Sequence, residues 1–371
     1  MNEIKTSQIE VKHSRNGFIL KELPPPVDLE TKATLKQAAV AHRYLAELKG
    51  VAKTIPNQGI LISTLPLLEA KDSSAIENII TTHDELYKGE LFNDFVQSSS
   101  TKEVQNYAIA IRHGFDMVNH GKLLTNNYIL EIQALIEHNR AGFRTVPGVA
   151  LVNDQTGETV YTPPQQPDDV VRLMNNLEKV INEESFYPVD PLIKMAIIHY
   201  QFESIHPFSD GNGRMGRIIN ILYLVLQELL DIPVLYLSRY IIKNKALYYT
   251  LLQEVRDFEN WEEWVLFMLR GVEETSRNTI TLIQSIKSQM DHYKQEIRGH
   301  HGKIYSQDLL NNLFKHPYSK IEFLENDLLV TRQTAARYLD ELAEAGLLKK
   351  EKIGRHNFYI NEDLFQLFME Q

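Results

Sequence analysis

Apolar residues recur every three to four positions along most of the chain, and that spacing predicts a mainly helical protein. Helical runs are expected over Thr31–Lys49, Ser73–Leu86, Lys102–His120, Asn126–His138, Pro167–Glu183 and Pro191–Ile205. Further runs follow at Met215–Leu230, Ser238–Val255 and Trp261–Lys287. Lys49-Gly50 marks a plausible stop for the first of them. Ahead of it, LPPPV (Leu23 to Val27) separates an irregular arm, residues 1–28, from the helical sequence. One segment breaks the rhythm. From Gly142 to Pro164 β-branched residues flank an Asp-Gln-Thr-Gly turn, which predicts a β-hairpin inside a helical protein.

The C-terminal fifth has its own pattern. Gln289 to Lys303 is polar, with Gly299 and Gly302 near its end, and reads as a linker in which His300-His301 is solvated rather than a metal pair. Beyond it Thr331 caps a helix through Glu344, Gly346 stops that helix, and Leu347–Ile360 reads as two strands around Gly354. Helices followed by a hairpin give the order of a winged helix-turn-helix. The expected divisions are 1–100, a helical region; 101–288, the central domain; 289–303, the linker; and 304–371, the winged helix.

Composition narrows the function. The 371 residues leave room for two or three cores. A formal net charge of -10 gives no global attraction to nucleic acid or anionic membrane. The absence of cysteine excludes disulfides, thiolate zinc sites and a cysteine nucleophile. Ile218 to Leu237 is the most membrane-like stretch, but it carries Asn220, Gln227, Glu228, Asp231 and Pro233, so a buried helix is expected. With no signal-peptide pattern at the N-terminus, a cytoplasmic location is expected.

The chemistry concentrates in His206 to Arg217, HPFSDGNGRMGR. His206 can take a proton near neutral pH. Asp210 offers a hard oxygen suited to magnesium (or manganese) held partly by phosphates. Gly211-Asn212-Gly213 can converge backbone N–H groups on an anion, at a helix N-terminus that adds its dipole. Arg214 and Arg217 lie three apart on one helical face and can engage the same polyphosphate. Phe208 anchors the loop in the core. No HExxH and no GxxxxGK[ST] occurs, which leaves a zinc protease or a P-loop ATPase unsupported.

The string resembles the Fic-domain signature, HxFx(D/E)GNGRxxR, at every specified position, and the likeness runs from about Lys102 to Phe267. The fold this implies is a helical Fic core with a β-hairpin flap, joined to the C-terminal winged helix. The resemblance implies transfer of AMP from ATP to a Ser, Thr or Tyr hydroxyl of a protein target, and of the chain itself. The motif alone leaves transfer of another phosphate-bearing group open. His206 would be the base and Asp210 would hold the metal on the α- and β-phosphates. Gly211, Asn212, Gly213 and Arg214 would bind those phosphates, and Arg217 the γ-phosphate. Tyr248 and Tyr249 stand where relatives carry nucleotide-proximal tyrosines. Glu158, Thr159, Val160 and Tyr161 would form the flap edge on which a target segment docks by strand addition.

Residues 73–78 read Ser-Ser-Ala-Ile-Glu-Asn and are similar to the family's inhibitory helix motif, (S/T)xxxE(G/N), at Ser73, Glu77 and Asn78. The resemblance implies a helix over about 73–86 whose Glu77 competes for Arg217, while Arg214 is left to the nucleotide. It also implies that a homodimer could control this helix. On the winged helix Arg332, Gln333 and Arg337 are the candidate DNA contacts, with Lys349, Lys350, Lys352 and Arg355 on the wing. From His300 to Gln371 there are 9 Lys/Arg against 11 Asp/Glu, so DNA and protein remain open as its partner. The alternative function is a DNA-binding regulator whose Fic domain senses nucleotide.

Overall fold

The structure is a computed structural model describing residues 19–91, 98–152, 156–353 and 356–370. Helix α1 (Lys32–Ala52) is capped by Thr31, whose side chain accepts the Thr34 N–H. It continues past Gly50 to Ala52 because Leu48 and Ala52 extend its buried stripe of Ala38, Ala41 and Leu45. That stripe packs along the long helix Trp261–His300.

Helix α2 (Gly59–Ile76) differs from expectation. Its residues Ile60, Leu61 and Thr64 to Ala70 are all buried, so no amphipathic stripe announces it, and Pro66 lies inside it. Ser73 to Ile76 is therefore the last turn of a helix, not the first. Glu77 follows as the C-cap, and Asn78 at φ 63° turns the chain away. The next helix, α3 (His83–Leu91), is separate, so the expected single helix over 73–86 is corrected.

Helices α4 (Ser99–Gly121) and α5 (Asn126–Glu137) form a hairpin and lead to strands β1 (Leu151–Val152) and β2 (Thr159–Tyr161), paired antiparallel. Part of the Asp154-to-Gly157 turn lies outside the described residues. Helix α6 (Pro167–Asn182) then packs on α7 (Pro191–Ile205), which is buried at every position from Leu192 to Ile205. Helix α8 (Asn212–Leu226) packs against α7, α4 and α5. The expected Ser238–Val255 helix is two, α9 (Leu237–Lys243) and α10 (Lys245–Phe258), broken at Asn244.

Helix α11 (Trp261–His300) contains 40 residues and is about 60 Å long at 1.5 Å per residue. The stretch 289–303, expected as a linker, is for the most part its last turns. Met290, Tyr293 and Ile297 form a buried stripe at helical spacing and carry the helix into the C-terminal module. The Tyr293 hydroxyl donates to the Leu347 carbonyl and its ring meets Phe314 edge-on. His300 and His301 each pair with a carboxylate, Glu296 and Glu341.

The module runs α12 (Gln307–Lys315), β3 (Tyr318–Ser319), α13 (Ile321–Leu328), α14 (Arg332–Glu344), β4 (Lys349–Ile353), β5 (His356–Ile360) and α15 (Glu362–Met369). Its antiparallel sheet is ordered β3-β5-β4, and Thr331 caps α14 while Gly346 ends it at φ 76°. This is the helix-helix-hairpin order anticipated. The module sits on α2 and α3, with Tyr87 stacked on Tyr318 and Phe368 and edge-on to Phe365. No helix among the described residues is long and apolar enough to cross a membrane.

Candidate active site

The site is the turn joining α7 to α8. Asp190 caps α7 by accepting the Leu192 and Ile193 N–H groups, and the helix ends where His206 enters the left-handed region at φ 50°. Pro207 cannot continue the helix. Phe208 is buried and its ring meets Phe143 and Phe202, anchoring the loop as expected. The Asn212 side chain braces the turn: it accepts the Phe208 N–H and donates to the Phe208 carbonyl, both at 2.8 Å. Gly211 lies at φ 72°, where a Cβ would come within 2.6 Å of a Glu137 oxygen. A Cβ on Gly213 would come within 2.5 Å of Glu77 Oε1.

Both arginines are buried. Arg217 is 2% exposed, and its Nε and Nη2 donate to the Ser73 hydroxyl and carbonyl at 2.7 and 2.9 Å. Its Nη2 also reaches Glu77 Oε1 at 2.8 Å. Arg214 donates from Nε to the other Glu77 oxygen at 2.9 Å. Glu77 thus bridges both guanidinium groups, and the expected division, with Arg214 left free, is corrected. The reason is geometric: as a C-cap at the end of α2, Glu77 faces the first turn of α8, where positions 214 and 217 share a face.

Arg214 also holds a second carboxylate, Glu137 Oε1, at 2.7 Å from Nη2. Asp210 is mostly exposed, 3.8 Å from Arg214, and its Oδ1 accepts the Gly211 N–H at 2.6 Å. Among the described residues no group of three His, Asp or Glu could hold a metal by itself. A single exposed carboxylate with a free oxygen fits a cation whose other ligands are phosphates and water.

His206 is half-buried, and burial pushes its imidazole down to about 4, with the positive charges of Arg144 and Arg256 adding to the effect. The ring is therefore neutral, and able to accept a proton, at neutral pH. Glu203, fully buried one turn earlier, is pushed up to about 7 by burial, against the pull of Arg217. The flap stands beside this turn. Tyr161 donates its hydroxyl to the Ser204 carbonyl at 2.7 Å under the Arg256 guanidinium, while Glu158, Thr159 and Val160 are exposed.

The two tyrosines separate. Tyr249 is 48% exposed, whereas Tyr248 is buried, with its hydroxyl 2.9 Å from His199 Nε2 and its ring against Trp264. His199, pushed down to about 3 by burial, is a neutral core histidine that also meets Asn220 and the Gly216 carbonyl. Tyr248→Phe should therefore act on stability. It leaves a buried ring nitrogen unpaired, and a loss of about 1–3 kcal/mol is expected in urea unfolding, with ATP affinity nearly unchanged.

On α14, Arg332, Gln333 and Arg337 are exposed as expected. Two wing lysines are engaged within the module, Lys349 with Glu362 and Lys350 with Asp340. Gly354 and Arg355 lie outside the described residues.

Motif reading missed Glu137, Gln133 and Arg144. Glu137 carried a signal, because an acid at a helix C-terminus opposes the dipole unless a cation compensates it. Gln133, one turn earlier, donates to the Asp210 carbonyl at 2.7 Å.

The family model described as Fic/DOC family N-terminal matches residues 35–116, and that described as Fic/DOC family matches residues 123–224. A third, for the C-terminal domain of protein adenylyltransferase SoFic-like, matches residues 289–364. Protein adenylyltransferase Fic of Aedes aegypti is 34% identical over 105 residues, 28% of this chain and 20% of that protein. Protein adenylyltransferase fic-1 of Caenorhabditis briggsae is 33% identical over 117 residues, 31% of this chain and 23% of that one. The chain thus spans less than a quarter of the length of these curated relatives. In fold it is similar to a Fic family protein from Desulfovibrio desulfuricans, with TM-score 0.58 and 19% identity over 91% of this chain and 98% of the other. Fic-1 from C. elegans superposes with TM-score 0.50 at 19% identity, over 68% of this chain and 73% of the other. With the three models falling in order along the chain, and the signature loop built between α7 and α8, the chain carries a Fic/DOC family domain over residues 123–224, preceded by the Fic/DOC family N-terminal region and followed by the SoFic-like C-terminal domain.

Proposed function

We propose that this chain is a protein adenylyltransferase that moves AMP from ATP to a hydroxyl side chain, and that Glu77 restrains it. The observation that carries this reading is one continuous turn. It presents a neutral His206 beside two buried arginines at the N-terminus of α8.

His206 takes the proton of the target Ser, Thr or Tyr hydroxyl. That oxygen bonds to the α-phosphorus, the bond to the bridging oxygen of the β-phosphate breaks, and pyrophosphate leaves. Arg214 and the first N–H groups of α8 bind the α- and β-phosphates, and Arg217 the γ-phosphate. Asp210 would hold magnesium (or manganese), which when bound neutralises charge on the α- and β-phosphates. The exposed edge at Glu158 to Val160 supports docking of an extended target segment by strand addition. Glu77 occupies the donors that a γ-phosphate needs, which supports restraint by competition for both arginines. The regulator reading is weakened by the wing, where Lys349 and Lys350 are already paired with acids.

The test is isotopic. With the Glu77→Gly chain incubated in ATP and magnesium, label from the α-phosphate should become covalently attached to protein and label from the γ-phosphate should not. Attachment of γ-label, or of neither, would overturn the proposal.

A further inference from the structure

The proposed base lacks the support that usually orients a histidine. Among the described residues no carboxylate steers the His206 ring, whose near polar neighbour is the Glu203 backbone carbonyl. His206 also adopts a left-handed backbone conformation, which costs about 1–2 kcal/mol for a residue with a Cβ. Something must hold the residue by its backbone.

Arg144 does so. It is 6% exposed, in the segment between α5 and β1. Its Nε donates to the His206 carbonyl at 2.8 Å, and its backbone N–H donates to the Pro207 carbonyl at 2.8 Å. Its Nη2 reaches the Ile205 carbonyl at 3.4 Å and donates to the Pro164 carbonyl. Ile205 and His206 carry carbonyls left without helical partners at the end of α7, and Pro164 lies three residues beyond the end of β2. One planar guanidinium therefore joins the catalytic turn to the base of the flap. Among the described residues its side-chain hydrogen bonds all go to carbonyls, so no carboxylate neutralises the cation and its charge acts on the His206 imidazole.

We infer that Arg144 is a positioning residue for the transfer reaction: its fork fixes His206 relative to the flap, so that a hydroxyl on a docked target strand meets the base in register. The inference rests on the adenylyltransferase reading. It assigns Arg144 two separable contributions. The fork sets geometry, which a lysine cannot reproduce. The charge helps keep the imidazole neutral, which a lysine can. The other charged groups facing His206 are Arg256 from α10 and Glu77 from the end of α2; Arg256 is unchanged by substitution at 144, and Glu77 is absent from every protein compared below.

The experiment compares Arg144→Lys and Arg144→Gln in full-length protein carrying Glu77→Gly, following self-modification, ATP binding, imidazole titration by NMR and amide exchange over 151–164. Arg144→Lys should slow transfer by about 100-fold, as expected for displacement of a reacting group by about 1 Å. ATP affinity should stay within about twofold while exchange at the flap amides rises. Because burial is the main cause, the His206 titration should stay low in both variants, shifting slightly upward in Arg144→Gln and not in Arg144→Lys. Transfer and flap exchange unchanged in Arg144→Lys would overturn the inference. So would a loss of transfer matched by an equal loss of ATP binding, which marks a general structural defect. Should the Glu77→Gly parent itself transfer no AMP, the adenylyltransferase reading fails, while exchange and titration still decide whether Arg144 is the clamp.

Discussion

Replacing Glu77 by glycine should raise the rate of AMP transfer by roughly 10- to 100-fold. The estimate follows from what the carboxylate does. It accepts one charge-assisted hydrogen bond from Arg214 and one from Arg217, at 2.9 and 2.8 Å. Hydrogen bonds to charged groups contribute about 1.5–3 kcal/mol each, and about 1.4 kcal/mol is a factor of ten. A triphosphate whose α- and β-phosphates need Arg214 and whose γ-phosphate needs Arg217 must displace both, and therefore loses at least one such factor. Glu77→Gln, which removes the charge and keeps a shape able to accept, should fall between wild type and Glu77→Gly. The gain has a structural cost. Without Glu77, Arg214 keeps Glu137, but Arg217 keeps only the neutral oxygens of Ser73. Removing one partner of a buried pair typically costs about 3–5 kcal/mol. The variant should therefore melt lower without nucleotide and recover much of the difference in saturating ATP. A variant that transferred no faster while binding ATP normally would remove Glu77 from the account.

The second large effect is at His206. His206→Ala should lower transfer by about 10²- to 10⁴-fold, the range supplied by a positioned general base, with ATP affinity nearly unchanged. The imidazole acts on the target proton, whereas phosphate binding is assigned to Arg214, Arg217 and the start of α8. The same assignment fixes the acid limb of the pH profile. Burial holds the imidazole near 4, so it is neutral, and competent as a base, at every pH well above that value. Rates should be flat in this limb from about pH 6 to 8 and fall only as protonation sets in below about pH 5. A limb centred near the ordinary histidine value would mean that the titrating group is not this buried ring. Loss of ATP binding in His206→Ala would make the residue structural.

Much of the fold is legible in the sequence. The residue types of His206 to Arg217 read as a candidate polyphosphate site, which the structure gathers on one turn, and α7 has the ends expected of it because Pro191 and His206-Pro207 punctuate it. What stayed hidden has physical causes. Helix α2 is apolar on nearly every side, so periodicity could not find its first half, and the inhibitory motif was attached to the wrong end of a helix. The stripe Met290, Tyr293 and Ile297 was diluted by charged neighbours, so the end of α11 read as a linker. Glu137 and Arg144 reach the site through tertiary contacts across 77 and 62 residues, separations at which spacing carries no information. The sharing of Glu77 between both arginines depended on where α2 stops, which sequence did not reveal.

The central claim is that one turn performs the transfer and that Glu77 withholds it. Its most direct test is the intact mass of three proteins after incubation with ATP and magnesium: wild type, Glu77→Gly and Glu77→Gly/His206→Ala. The account predicts an added AMP on Glu77→Gly, little on wild type, and none on the double variant although it still binds ATP. An AMP adduct appearing equally on the double variant, or absent from a Glu77→Gly protein that binds ATP, would contradict it.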